Sequence, residues 1–267
     1  MARSMGATFN RRGLLLGAVA LAFVGARAEA ADLLAKGAAD YKPYAVERIE
    51  IALTGAKKLQ AAVKTGDVKA AQAAWIESRK GWEAAEPITG EFFAKLDESI
   101  DAWPDAKQGY HAIEAALFSG KLTEIAAPTD QLVSDLSEFH KQVSATEFKF
   151  TPQGLINGAT KLAYEIGENK SKGGESPYAG TSINDMYENN EGIEALYNLA
   201  IAPALKARDA KLAKRISDQI EKVEDYVKGK DLKSVDAAGL NKAGEELAVL
   251  LQTAAVKLKL KKPKVGE

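Results

Sequence analysis

The residues of this chain best suited to chemistry are a few acids and one histidine set among apolar side chains. His111 and Glu114 stand three apart in Gly109-Tyr-His-Ala-Ile-Glu114. On a helix, positions i and i+3 share one surface. At 100° per residue, Tyr110, Ile113, Leu117 and Phe118 define an apolar face; Glu114 projects into its middle and His111 lies at its edge. A buried carboxylate without a partner is costly. Glu114 therefore calls for something cationic opposite it: a metal, an arginine or a shared proton. The plainer reading is a hydrogen-bonded core pair, since His-x-x-Glu arises by chance in many helices. The other histidine, His140, sits beside Phe139 and near Leu136 and Val143 and reads as an ordinary boundary residue.

A stronger anomaly lies upstream. Val68, Trp75, Ile76 and Trp82 make the apolar stripe of a helix predicted over 67–86, and Arg79, Glu83 and Glu86 fall within that stripe. Pro87 ends the helix, because the residue before a proline resists α geometry. Glu83 and Glu86 thus occupy the last turn, where the helix dipole disfavours each anion by roughly 0.3–1 kcal/mol. Two repelling carboxylates at the negative helix end, facing inward, ask for a bound cation. An Arg79–Glu83 ion pair at i,i+4 is the competing account; it satisfies Glu83 and leaves Glu86.

Two further segments can complete a site. In Leu96-Asp-Glu-Ser-Ile-Asp101, Asp97 lies near the apolar edge set by Phe93 and Ile100, and Asp101 points further away. In the segment 185–194 the stripe is Met186, Ile193 and, beyond it, Tyr197, with Asn190 and Glu194 intruding. Caps or solvated positions are the ordinary reading of such residues, and Glu194 fits it least well.

The elements that must position these side chains are helices. Ala, Leu, Lys, Glu and Gln dominate, and apolar residues recur at helical spacing. Helices are predicted over 32–64, 67–86, 89–101, 107–118, 129–146, 152–168, 184–202, 207–228 and 235–257. They are separated by Gly66-Asp67, Pro87, Pro104-Asp105, Gly120, Pro128, Thr151-Pro152, Pro203 and Gly229. The fold class is all-α. The longest irregular stretch, 169–181, reads as a linker between two helical bundles or as a functional loop.

The N-terminus reads as an export signal. Arg3, Arg11 and Arg12 precede an apolar run over 13–25, too short to span a bilayer comfortably, and small residues follow in Ala26-Arg27-Ala28 and Ala28-Glu29-Ala30. Cleavage is expected after Ala28 or Ala30, which places the protein in the periplasm or at the cell surface. The pair Arg11-Arg12 admits the twin-arginine route. Loss of residues 1–30 removes four arginines and one glutamate and moves the net charge from −1 to −4. A mildly acidic chain argues against nucleic acid as a partner, and nothing in 31–267 calls for stable membrane insertion. The basic tail over 258–267 reads as a solvated, frayed end. The chain has no cysteine, so any metal must be held by carboxylates, histidines or backbone oxygens.

These segments together resemble a known family. Gly109-Tyr-His-Ala-Ile-Glu114 resembles the G-x-H-x-x-E motif of the imelysin-like family, specifically its EfeO branch. Trp82-Glu-Ala-Ala-Glu-Pro-Ile88 is similar to that branch's aromatic-Glu-x-x-Glu-Pro-Ile segment, and Leu96-Asp-Glu-Ser-Ile-Asp-Ala102 to its Leu-Asp-x-x-Ile-Asp stretch. Gly173-Gly-Glu-Ser-Pro-Tyr-Ala-Gly-Thr181 and Asn189-Asn-Glu-Gly192 are similar to two later signatures. Thr181-Ser182 stands where the family has Thr-Asp, which removes one potential ligand. Few residues separate the signal from the first helix, so the resemblance is to the short, EfeM-type form without a cupredoxin domain.

The resemblance implies two packed helical bundles forming one elongated domain over 31–257. It implies a periplasmic protein that binds iron, or else zinc, copper or manganese, beside the permease and peroxidase components of an EfeUOB-type import system. Carried over by motif, the metal ligands are Glu83, Glu86, Asp97, His111 and Glu114, with Asp101 second; Glu194 rests on the stripe reading alone. Some short EfeO-like proteins are associated with the acidic polysaccharide alginate, which is the alternative ligand. Lysines and arginines lining a cleft would receive it, with Tyr178 and Tyr187 as sugar platforms, or a bound metal would bridge it to protein carboxylates. The family is filed among peptidases, but no His-Glu-x-x-His motif and no cysteine nucleophile is present, so proteolysis is not expected.

Overall fold

A computed structural model of the chain describes residues 11–102, 107–168, 170–172 and 174–266, with side chains from residue 30 onward. The export signal expected over 1–30 lies outside the described side chains apart from Ala30. Among the described residues the fold is all-α, without strands. The helices are α1 (Arg11–Thr65), α2 (Val68–Ala85), α3 (Thr89–Phe92), α4 (Ala94–Ile100), α5 (Gly109–Phe118), α6 (Ala126–Ser144), α7 (Pro152–Glu168), α8 (Ser182–Leu196), α9 (Ala202–Val227) and α10 (Ala237–Lys257). None is long and apolar enough to cross a membrane among the described residues.

Two bundles pack side by side. In the first, α2 folds back along α1, and α5 and α6 close the other side. Its core is aromatic. Trp82 meets Phe139 edge-on at 6.0 Å, Phe93 lies 4.6 Å from Phe139, and Trp75 donates its indole N–H to the Tyr110 carbonyl at 3.2 Å. The second bundle groups α7, α8, α9 and α10 around Leu155, Ile166, Ile193, Ile216 and Leu251, all fully buried. The bundles meet where α8 lies on α2 and where α7 lies on the turn Glu86–Ile88. A Cβ at Gly158 would stand 1.8 Å from the Pro87 carbonyl oxygen. Only glycine lets α7 come that close to the end of α2.

The structure departs from the sequence reading at five places. The stretch 169–181 does not link the bundles, because it joins α7 to α8 within the second one. The helix expected over 89–101 breaks at Phe93 (φ −139°, ψ 36°), whose ring packs against Phe139 and Phe148. Pro128 does not start α6 but sits inside its first turn, where the missing N–H costs no hydrogen bond. Pro203 separates no helices: α8 runs through a π-helical turn, Tyr197–Ile201, into α9, and the irregularity comes later at Asp209 (φ −154°, ψ 78°). Pro203 lies in the first turn of α9, again where its lack of an N–H is tolerated. Lastly, the basic tail is pinned rather than frayed. Lys261 N–H donates to Gln153 Oε1 at 2.7 Å, and Gln252 Nε2 donates to the Pro263 carbonyl at 2.9 Å.

Candidate metal centre

The centre grows from the buried polar face of α2. Its N-cap Asp67 accepts from Ala70 N–H at 3.0 Å and fixes where the helix starts. Ser78, Arg79 and, one turn further on, Glu83 all face inward, each at most 1% exposed. Arg79 pairs with Glu83 along the helix, as the i,i+4 spacing allows. Its Nη1 donates to Asp101 Oδ1 at 2.6 Å, while Nη2, the nitrogen that faces Glu83, reaches Glu175 at 3.3 Å and Asp185 at 3.7 Å. One guanidinium thus gathers carboxylates from α2, the end of α4, the loop 174–181 and α8.

Lys170 is the second buried cation, 4% exposed. Its ammonium lies 2.8 Å from Glu86 Oε2, 3.2 Å from Glu175 Oε1 and 3.4 Å from Glu83 Oε2. Asn189 of α8 donates to Glu83 Oε2 at 2.7 Å and to Glu86 Oε2 at 2.6 Å. Five carboxyls therefore surround two cations. Without a further cation, such a set must keep protons.

The protonation pattern follows. Burial opposes ionisation of Glu83, but Arg79 and Lys170 overcome it and pull this carboxyl down to about 2. Burial pushes Glu86 well above the carboxylate range, despite the nearby Lys170. Burial likewise raises Asp185 to about 7 and Asp97 to about 6. Burial and the neighbouring Arg79 push His111 down from its ordinary value, which keeps the imidazole neutral at pH 7 and able to ligate without first losing a proton.

Gly109 places the histidine. It adopts φ +77°, and a Cβ there would stand 2.6 Å from the Ile100 carbonyl oxygen. The start of α5 can therefore press on the end of α4, which brings His111 Nε2 to 3.5 Å from Asp101 Oδ1. Asp101, His111 and Glu175 each offer a ligand atom, and these atoms lie within 4.8 Å of one another. A cleft of about 550 Å³ opens onto Asp101 and Glu175, with His111 buried behind Asp101. Glu86, Glu91, Asp97, Glu98, Asp101, Glu165 and Glu175 line it, against Lys161 and Lys170.

Of the residues expected from the sequence, Glu83, Glu86, Asp101 and His111 are brought into one connected cluster, and Asp97 lines the same cleft. Glu114 is buried, and its Oε1 accepts the backbone N–H groups of Tyr178 at 2.9 Å and Ala179 at 2.8 Å. Glu194 is half-buried and accepts a hydrogen bond from Asn198 at 3.4 Å; no described hydrogen bond or ion pair ties it to the cluster. The sequence reading did not single out Glu175, Lys170 or Asp185. Each lies in an irregular segment or at a helix start, where no periodicity marks a buried side. For Glu175 the only sequence signal is the resemblance of the segment 173–181 to a family signature; Lys170 and Asp185 lie outside the resembling segments.

Comparison with known proteins agrees with this architecture. The family model for imelysin, Peptidase_M75, matches residues 37–108 and 105–261. The iron uptake system component EfeM of Pseudomonas syringae pv. syringae is 31% identical over 195 residues, 69% of this chain and 67% of that protein. The iron uptake system component EfeO of Escherichia coli O1:K1 / APEC is 31% identical over 194 residues, so the chain spans about half (51%) of that relative's length. A crystal structure from Parabacteroides distasonis ATCC 8503, described as an iron-regulated protein A precursor, superposes with a TM-score of 0.72. It covers 85% of this chain and 95% of its own at 16% identity, which speaks to the fold alone. With both bundles matched by the family model, the chain belongs to the imelysin family.

Proposed function

We propose that this protein is a periplasmic metal-binding component of an iron uptake system, and that iron is its cargo. The observation that carries the reading is the convergence of Asp101, His111 and Glu175, two of which, Asp101 and Glu175, line an acidic cleft. Two carboxylates and a neutral imidazole form a mixed hard and borderline donor set, which accepts ferric or ferrous iron and tolerates manganese, zinc or copper. Glu86 and Asp97 stand on the cleft wall and extend the set. Glu83 is held by Arg79, Lys170 and Asn189 and acts as the inner anchor of the cluster. The residues 1–30 would deliver the protein to the compartment where iron is captured, and an iron permease and a peroxidase are its expected partners there.

The test is an iron titration of the full mature chain alongside His111→Ala and Glu175→Gln. Both variants are expected to lose at least about tenfold in affinity, equivalent to ~1.4 kcal/mol. Unchanged titrations in both would overturn the assignment.

Alginate remains a second ligand through Tyr178, which is 60% exposed on the loop beside the cleft. The excess of carboxylates on the cleft wall repels a polyanion, which favours the metal-bridged mode over a direct one. Metal-bridged binding vanishes in EDTA. A direct basic site survives the chelator and weakens with salt.

A further inference from the structure

The H-x-x-E pair spans two different jobs. His111 faces Asp101, while Glu114, one turn further along α5, turns its Oε1 to two successive backbone N–H groups, those of Tyr178 and Ala179. A carboxylate that accepts two backbone N–H bonds makes charge-assisted contacts, which are shorter and stronger than neutral ones. These bonds hold the loop 174–181 against α5. Glu175, the loop residue that reaches the Asp101–His111 pair, lies three positions before the first of these amides.

The side chain of Glu175 is paired with Arg79 at 3.3 Å and Lys170 at 3.2 Å, and the backbone of the loop has few other fastenings. Ser176 N–H donates to Ser182 Oγ at 2.8 Å, its hydroxyl bonds Asp185, and Gly180 N–H closes back on the Ser176 carbonyl at 2.8 Å. Those bonds tie the loop to itself and to α8. Only the Glu114 bonds, among those described, tie its backbone to the helix that carries His111. The three-residue spacing on α5 therefore sets the register of His111 against Glu175.

We infer that Glu114 is a positioning residue, a latch that holds the 174–181 loop so that Glu175 meets Asp101 and His111, and that it is not itself a metal ligand. This rests on the reading of that triad as the iron site. The latch makes a demand that a ligand would not: it needs an acceptor oxygen at this place, and it does not need the negative charge. Glutamine supplies the oxygen, and alanine does not.

The experiment uses the full mature chain with Glu114→Gln, Glu114→Asp and Glu114→Ala, and two readouts. The first is hydrogen exchange at the Tyr178 and Ala179 amides in the metal-free protein. The second is affinity for ferrous iron alone, measured anaerobically. Slow exchange is expected in the parent and in Glu114→Gln, with iron affinity within about threefold. Fast exchange is expected in Glu114→Ala, with affinity down at least about tenfold. Glu114→Asp, one methylene shorter, stands in for alanine if that variant does not fold. The latch holds if iron affinity follows amide protection across the variants. It is overturned if Glu114→Gln loses iron while its amides stay protected, or if the amides of Glu114→Ala stay protected. Exchange is read without metal, so a parent that takes up no iron sinks the proposed function and still leaves the loop-holding role of Glu114 decided by the amides.

Discussion

The ammonium of Lys170 lies 2.8 Å from Glu86 Oε2 and 3.0 Å from its Oε1. The turn after α7 thus brings a cation to the carboxylate left over when Arg79 takes Glu83. Lys170 also lines the cleft beside Glu175, so a metal ion bound as proposed would compete with it for the same oxygens.

Lys170→Met is therefore expected to have two opposite effects. Without metal, three carboxylates lose a buried partner, and stability falls by about 3–5 kcal/mol. With metal, affinity for manganese or iron rises by about tenfold, because no resident charge must be displaced. Urea unfolding with and without manganese, followed by metal titration, checks both. An unchanged affinity would mean that Lys170 and the metal do not share oxygens.

Arg79 is expected to matter more for stability than any other single residue of the centre. Arg79→Met leaves Glu83, Asp101, Asp185 and Glu175 without their shared guanidinium, at a cost of about 3–5 kcal/mol or more. Arg79→Lys is expected to recover only part of this, since one ammonium cannot reproduce the fork that serves Glu83 and Asp101 at once. Urea midpoints at constant slope make the comparison; full recovery by lysine would show that charge alone matters.

Gly109 and Gly66 form a matched pair. Both adopt φ +77°, but a Cβ at Gly66 meets nothing within 4 Å, whereas at Gly109 it meets the Ile100 and Ser99 carbonyl oxygens at 2.6 and 2.8 Å. Gly66→Ala is expected to cost about 1 kcal/mol through backbone strain and to leave metal binding untouched. Gly109→Ala is expected to cost more and to weaken metal binding, because α5 must shift and carry His111 away from Asp101. Equal metal affinity in the two variants would contradict this.

The metal-free protein should lose stability between pH 4 and 7. Burial raises Asp97 to about 6 and Asp185 to about 7, so the folded state holds these protons more tightly than the unfolded chain does. Their contribution is full below the ordinary value of 3.8 and disappears as pH rises through 6 and 7. Glu83 works in the opposite sense: its carboxyl, held at about 2, contributes fully above 4.5 and loses that contribution as pH falls toward 2. The metal-free optimum is thus near pH ~4–5. A bound cation takes the place of the protons and flattens the upper slope. Thermal melts from pH 3 to 8, with and without manganese, measure both curves. A metal-free chain that gains stability from pH 5 to 7 would refute the assignment.

Some of this site was legible in the sequence. Arg79 and Glu83 could be placed inside because α2 has one apolar stripe and they interrupt it, and His111 and Glu114 could be paired on α5 by the same periodicity. The all-α class followed likewise from composition and spacing. Helical periodicity tells which side of a helix is buried, but it cannot tell what that side faces. Whether Glu86 meets a metal or a lysine depended on where the turn after α7 comes to rest. Whether Glu114 faces a cation or two backbone amides depended on the path of the 174–181 loop. α8 is packed by α2, α7 and α9, so its inward side is wider than one stripe; Asp185, Asn189 and Asn190 lie inside while Glu194 stays on the rim. Glu175 carried no periodic signal at all, because an irregular segment has no repeating face. Its burial, and the triad it completes with Asp101 and His111, exist only once α4, α5 and the loop are folded against one another.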